Sequence, residues 1–213
     1  MEITWLGLSC FLISGKEKTI VTDPCHPDLG YRLGEPEADI VTVSHLHPGH
    51  SYIAGVANEP KRIISPGEYE IGGTFITGVA SFHDNKKGDL RGKNTIYIIE
   101  TDGMTLCHLG DLGHPLDPHL IEEIGDIDIL FLPVGEVSTM PIDTAVEIVR
   151  QLEPHIVTPM HYKTEAFTGD LSPVDKFLDI MRIRELEARP SLSITASSLP
   201  SSTQTIVLSY LHS

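Results

Sequence analysis

The sequence predicts an α/β fold in one domain spanning residues 1–213, and three observations carry that prediction. Short apolar runs rich in Ile and Val recur along the chain, separated by Gly, Pro, Asn and Asp. In the second half such runs alternate with two segments of helical periodicity. No repeat, low-complexity tract or linker divides the 213 residues, a length that can enclose one substantial core.

Residues 3–6, 10–13 and 19–22 read as consecutive strands, parted by Gly7 and by the turn Gly15-Lys16-Glu17-Lys18. A polar loop, 24–38, leads into the run 39–44, where Ile40, Val41 and Val43 suit a largely buried strand. Strands at 62–64, 74–79, 95–100 and 104–106 follow, and Thr101-Asp102-Gly103 is a hairpin signal. Residues 127–132 and 156–158 add two more. Helical spacing places Ala145, Ile148, Val149 and Leu152 on one face of 143–152. A second helix over 172–183 is expected to start from a Ser172 cap with Pro173 at its first position. The Ser-, Pro- and Ala-rich stretch 187–203 reads as loop plus strand, and 205–210 alternates as a closing strand.

Composition narrows the function. Fifteen Lys and Arg against 30 Asp and Glu give a net charge of −15, a surface that repels phosphate backbones and argues against nucleic acid. Cys10, Cys25 and Cys107 are too few and too scattered for a disulfide framework. No run approaches membrane-spanning length, and the first residues go straight into a strand without a leader. The expected setting is a reducing cytoplasm and the expected partner a small molecule, with neither membrane nor nucleic acid; a homo-oligomer stays open.

The most informative stretch is His45-Leu46-His47-Pro48-Gly49-His50, at the end of the 39–44 run. Strand side chains alternate, so His45 and His47 share a face and can grip one ion together. Pro48-Gly49 turns the chain and lets His50 return. Neutral imidazole is a favoured ligand of zinc and related metals, and packing rarely requires three in six residues. Further His and Asp residues follow other apolar runs: His83 after 79–82, Asp111 after 104–106 and His161 after 156–158. Ligands collected at the ends of strands are how an α/β scaffold builds a site.

His45-x-His47-x-x-His50, then His83, Asp111 and His161 in that order, resemble the metallo-β-lactamase superfamily of metal-dependent hydrolases. Within it, Thr22-Asp23-Pro24, His108-Leu-Gly-Asp-Leu-Gly-His114, Pro133-Val134-Gly135 and Pro159-Met-His-Tyr-Lys163 resemble the ascorbate-6-phosphate lactonase-like branch. The resemblance runs to about residue 163. It implies a four-layer αββα sandwich with the metal site at the edge between its sheets. It further implies a first metal at His45, His47 and His83 and a second at His50 and His161, with Asp111 bridging. Asp23 would accept a hydrogen bond from a ligand imidazole and fix its tautomer; the bland reading is a turn-forming Asp before Pro24.

One departure stands out. The family's motif has Asp directly before the third His, and this chain has Gly49. Loss of that carboxylate should weaken the second metal by at least roughly 10–100-fold. Glycine there is also free to adopt φ > 0. Glu136, after Pro133-Val134-Gly135, reads either as a compensating carboxylate or as a solvent-facing loop residue. His108 and His114 flank Asp111 and read equally as neighbours of the ligands or as partners of loop carbonyls. Lys163 and Arg91 are candidates to meet an anionic substrate, Arg91 from a polar loop (85–93) suited to a mobile flap.

The expected activity is hydrolysis of an ester, lactone or phosphoester of a small anionic substrate by metal-activated water, with Asp111 and His161 as catalytic candidates. Zinc is the expected metal, manganese or iron the alternatives, at one or two ions per chain. The competing readings are a metal-binding protein without turnover and a mononuclear iron oxidoreductase.

Overall fold

A computed structural model describes residues 1–184 and 186–211. It opens with β1 (Glu2–Gly7), β2 (Cys10–Ser14), β3 (Thr19–Thr22), β4 (Ile40–Thr42) and β5 (Lys61–Ile63). A second series follows: β6 (Gly67–Ile71), β7 (Thr74–Phe82), β8 (Lys93–Thr101) and β9 (Met104–His108). Then come α1 (Pro118–Ile124), β10 (Ile129–Pro133), α2 (Ile142–Leu152), β11 (Ile156–Met160), α3 (Asp175–Ile180), β12 (Leu192–Ser193) and β13 (Gln204–Thr205).

These strands form two mixed sheets, ordered β12-β1-β2-β3-β4-β5 and β13-β11-β10-β9-β8-β7-β6. Hairpins link β1 to β3 and β6 to β9, so those pairs are antiparallel. The crossovers make β3-β4-β5 and β9-β10-β11-β13 parallel. Parallel strands end together, so the loops leaving β3, β4, β9 and β11 gather at one edge of the two sheets.

Alternation decides where each side chain goes. Ile3, Trp5, Phe11, Ile13, Ile20 and Ile40 enter the core shared with the second sheet, where the Phe11 and Phe131 rings lie 4.4 Å apart. Leu6, Cys10, Val21 and Val41 point the other way, into a smaller cluster with Tyr31 and Leu33. Both faces of the first sheet are therefore buried, which is why its strands read as unbroken apolar runs. On the second sheet the covering layer is helical: α2 buries Ala145, Val146, Ile148, Val149 and Leu152. On the first sheet it is the 24–58 region, whose helical content is the 3-10 turns Pro27–Leu29 and Ile53–Gly55.

Several expected elements end elsewhere. Strand β4 stops at Thr42 because the Ser44 N–H turns from the sheet to the Asp23 carboxylate. The second expected helix shortens to α3, with Val174 at its N-cap; Ser172 donates its hydroxyl to Glu136 instead, at 2.8 Å. The closing strand narrows to Gln204–Thr205, followed only by a bridge between Arg189 and Leu208. Strand β6 and helix α1 were not anticipated. Among the described residues no helix is long and apolar enough to cross a membrane.

Candidate metal centre

Each candidate ligand leaves the end of a strand. His45, His47 and His50 follow β4, His83 follows β7, Asp111 follows β9 and His161 follows β11. The side chains converge on one carboxylate oxygen. Asp111 Oδ2 lies 3.2 Å from His50 Nε2, 3.3 Å from His83 Nε2, 3.3 Å from His161 Nε2 and 3.9 Å from His45 Nε2. The donor atoms of His45, His47 and His83 lie within 4.8 Å of one another, as do those of His50, Asp111 and His161. These are two ligand sets side by side.

The donor chemistry fits a cation. His45 Nε2, His83 Nδ1, His161 Nδ1 and Asp111 Oδ1 are buried without hydrogen-bond partners. Buried polar atoms are normally paired, and His45 Nε2 and Asp111 Oδ1, unpaired where the imidazoles converge, fit a site built for something other than its own side chains. A third grouping, Asp23 with His45 and His50, is no ligand set, because both oxygens of Asp23 are already engaged.

Asp23 organises the imidazoles from behind. Its Oδ2 accepts from His50 Nδ1 at 2.8 Å and from the Ser44 hydroxyl at 2.5 Å, and Ser44 Oγ in turn lies 2.9 Å from His45 Nδ1. Both rings thereby donate through Nδ1 and keep Nε2 for the centre, as metal-bound imidazoles require. The Ser44 link was not read from the sequence, since a serine after a strand carries no distinguishing pattern.

Electrostatics follow from this packing. Burial alone would raise the Asp111 carboxyl, but the imidazoles of His161 and His50 hold it well below the usual range. Burial would likewise push His50 down, yet the carboxylates of Asp111 and Asp23 lift it well above an ordinary histidine. His45 and His161 go the other way, burial and the neighbouring His50 charge keeping them neutral. His45 and His161 are thus held as the neutral imidazoles that metal binding needs, beside an ionised carboxylate, whereas His50 carries a proton that an incoming cation would displace.

The backbone is forced to deliver these groups. Asp23 and His161 sit at φ 39° and 51°, in the left-handed region that non-glycine residues seldom occupy. His161 is held there by its N–H to the Leu8 carbonyl at 3.0 Å. Its own carbonyl packs on Gly135, where a Cβ would stand 2.0 Å away, so only glycine fits after Pro133-Val134. Gly49 shows no comparable constraint: its φ lies outside the left-handed region, and a Cβ there would meet only Leu8 Cδ1 at 3.4 Å and Leu29 Cδ1 at 3.7 Å.

Other expected neighbours are committed elsewhere. His108 lies 2.8 Å by Nε2 from the Ser9 carbonyl and accepts from the Gly110 N–H through Nδ1. His114 accepts the Phe82 N–H at Nε2, with Nδ1 2.8 Å from the Pro115 carbonyl. Both fasten backbone rather than ligands. Lys163 donates to the Phe167 and Gly169 carbonyls at 2.8 and 2.6 Å and closes a loop instead of facing the pocket. Glu136 accepts from Ser172 and Lys176, away from the ligands.

A pocket of about 250 Å³ opens over the cluster. His47, His50, His83, Asp111 and His161 line it, together with apolar Leu8, Leu29, Phe167 and Leu171 and polar Arg91, Ser138 and Asp170. Larger grooves of about 400 and 520 Å³ lie beside Lys18–Asp39 and beside 186–190, but neither holds a ligand set. Chemistry, not volume, identifies the site.

Residues 2–161 match the family model described as Beta-lactamase superfamily domain. A UPF0173 metal-dependent hydrolase of Archaeoglobus fulgidus is 32% identical over 195 residues, covering 77% of this chain and 84% of that protein. Its counterpart in Thermococcus kodakarensis is 31% identical over 192 residues, covering 77% and 85%. A crystal structure from Thermotoga maritima, described as a candidate Zn-dependent hydrolase of the metallo-β-lactamase superfamily, superposes with a TM-score of 0.80 at 38% identity, covering 97% of both chains. The chain belongs to the metallo-β-lactamase superfamily, among its metal-dependent hydrolases.

Proposed function

We propose that this protein hydrolyses an ester, lactone or phosphoester of a small anionic substrate, using zinc held by His45, His47, His83, His50, Asp111 and His161, and that it does so in the cytoplasm. The observation that carries the reading is the convergence of four imidazole nitrogens on Asp111 Oδ2 beneath an open pocket. A bound divalent ion supplies Lewis acidity, bringing water to neutral-pH reactivity and polarising the bond under attack. The protein's own part is orientation and proton handling. Asp111 stays ionised, and its Oδ1, free of partners, accepts a hydrogen bond from the attacking water. His161, neutral and 3.3 Å from Asp111 Oδ2, lines the same pocket and presents its Nε2 beside that carboxylate. Leu8, Leu29, Phe167 and Leu171 give the pocket an apolar wall beside the ligands.

Gly49 supports a second reading, binding without turnover, because the second ligand set has one carboxylate rather than two. One experiment separates them. Zinc-loaded protein is offered a chromogenic ester, a lactone and a phosphodiester, alongside chelated protein and Asp111→Asn. Turnover of one class, lost in both controls, is the expected result. Fully loaded protein that leaves all three intact would overturn the hydrolase.

A further inference from the structure

Asp84 directly follows His83 and is 6% exposed, yet belongs to neither ligand set. Its carboxylate gathers four backbone N–H groups from a single loop. Oδ1 accepts from Lys86 at 2.7 Å and Gly88 at 3.0 Å, and Oδ2 from Leu90 at 3.0 Å and Arg91 at 2.7 Å. The loop is closed at its base by His83 N–H to the Gly92 carbonyl and Gly92 N–H to the Gly88 carbonyl, both 3.0 Å. This is a buckled loop and not the free flap its polar composition suggests.

The buckle is tied to the metal centre. On the loop that carries Asp111, a Cβ at Gly113 would lie 2.4 Å from Asp84 N and from the His83 carbonyl, so the two loops touch backbone to backbone. From that base the Arg91 side chain reaches across the pocket mouth and donates Nη2 to the Val137 carbonyl at 3.2 Å. It lines the pocket with His47, His83 and Asp111. A guanidinium has five donors, and Val137 takes one. On a chain of net charge −15, a cation anchored at both ends over the site calls for an anionic occupant.

We propose that Arg91 is the anion subsite of this pocket and that Asp84 is the residue that positions it, fitting the site to substrates that carry a carboxylate or phosphate group. The role of the bound anion as substrate rests on the hydrolase reading; the binding of the anion does not. The planar fork of Arg91 takes two oxygens of such a group at once, which orients the substrate relative to the metal ligands. Asp84 acts through Arg91: without the four amide bonds the loop loses its shape, and the guanidinium loses its place.

The test is calorimetric titration of inorganic phosphate, and of acetate in parallel, into zinc-loaded protein, with metal content measured on every sample. Arg91→Ala and Asp84→Asn are each expected to weaken the preferred anion about tenfold, the loss typical of a charged hydrogen bond. The double variant should be no weaker than Arg91→Ala, and metal content should not change. The anion that loses more identifies the group. Unchanged binding in Arg91→Ala, additive losses in the double variant, or metal loss in Asp84→Asn would each overturn the proposal. Should Asp84→Asn not fold, Leu90→Pro removes one of the four amides at a position 72% exposed; binding equal to the parent's would then count against Asp84. Calorimetry needs no turnover. A protein that binds phosphate through Arg91 but cleaves nothing refutes the hydrolase alone, and an active hydrolase indifferent to Arg91→Ala refutes the subsite alone.

Discussion

The Asp23 carboxylate holds His50 by Nδ1 at 2.8 Å, which leaves His50 Nε2 facing Asp111 Oδ2 at 3.2 Å. Asp23→Ala frees that ring and, through Ser44, the ring of His45. Zinc affinity is expected to fall by about 10–100-fold. Competition against a chelating dye measures it, and affinity equal to the parent's would remove Asp23 from the metal centre.

Gly49→Asp should raise metal content toward two ions per chain. The new side chain enters ordinary contact with Leu8 and Leu29, and the backbone already has a conformation any residue accepts. Elemental analysis at matched pH is the check. A folded variant with no added metal would show that the missing carboxylate is not what limits the second ion.

Alkaline pH should destabilise the fold. Burial pushes the Cys25 thiol and the Tyr31 phenol up to about 12, and it raises Cys10, Cys107, Tyr97 and Tyr162 as well. Unfolded, these groups titrate near 9.0 and 10.0. The folded state therefore keeps protons that the unfolded chain releases, so stability is intact below about pH 9 and declines as pH rises toward about 12. Urea midpoints from about pH 8 to 11 test this; a flat profile contradicts it.

Removing metal should lower the melting temperature by on the order of 5–10 °C, the effect of a ligand present at about a hundred times its dissociation constant. Asp111, His83 and His161 come from the second sheet and His45, His47 and His50 from the first, so an ion between them ties the two together. Thermal scans with and without chelator measure the shift. Identical curves for zinc-loaded and chelated protein would mean no ion is held there.

The centre was legible because each ligand ends an apolar run, and parallel strands carry run ends to a common edge. Asp84 was not, because its partners are backbone amides, which leave no trace in side-chain pattern. Lys163 misled for a related reason: proximity to His161 along the chain is undone when His161 turns at φ 51°. Helix α1 buries only Leu120 and Ile124, too few for a visible period. The Asp117-Pro118 start and Gly125 stop were the signals that could have found it. Strand β6 does alternate, Tyr69 and Ile71 against exposed Glu68 and Glu70, but at a sheet edge two half-buried side chains make too short a signal to stand out.

The order of the ligands along the chain also sets a timetable for synthesis. His45, His47 and His50 leave the ribosome well before Asp111, and His161 comes last. β11, which delivers His161, pairs with β13, and β1 finds its outer neighbour only when β12 has been made. An ion captured early would be held by three imidazoles on an unfinished sheet and would exchange freely. Firm loading has to wait for His161 and the strand β13 that flanks β11, so a tightly held ion certifies that the second sheet is assembled.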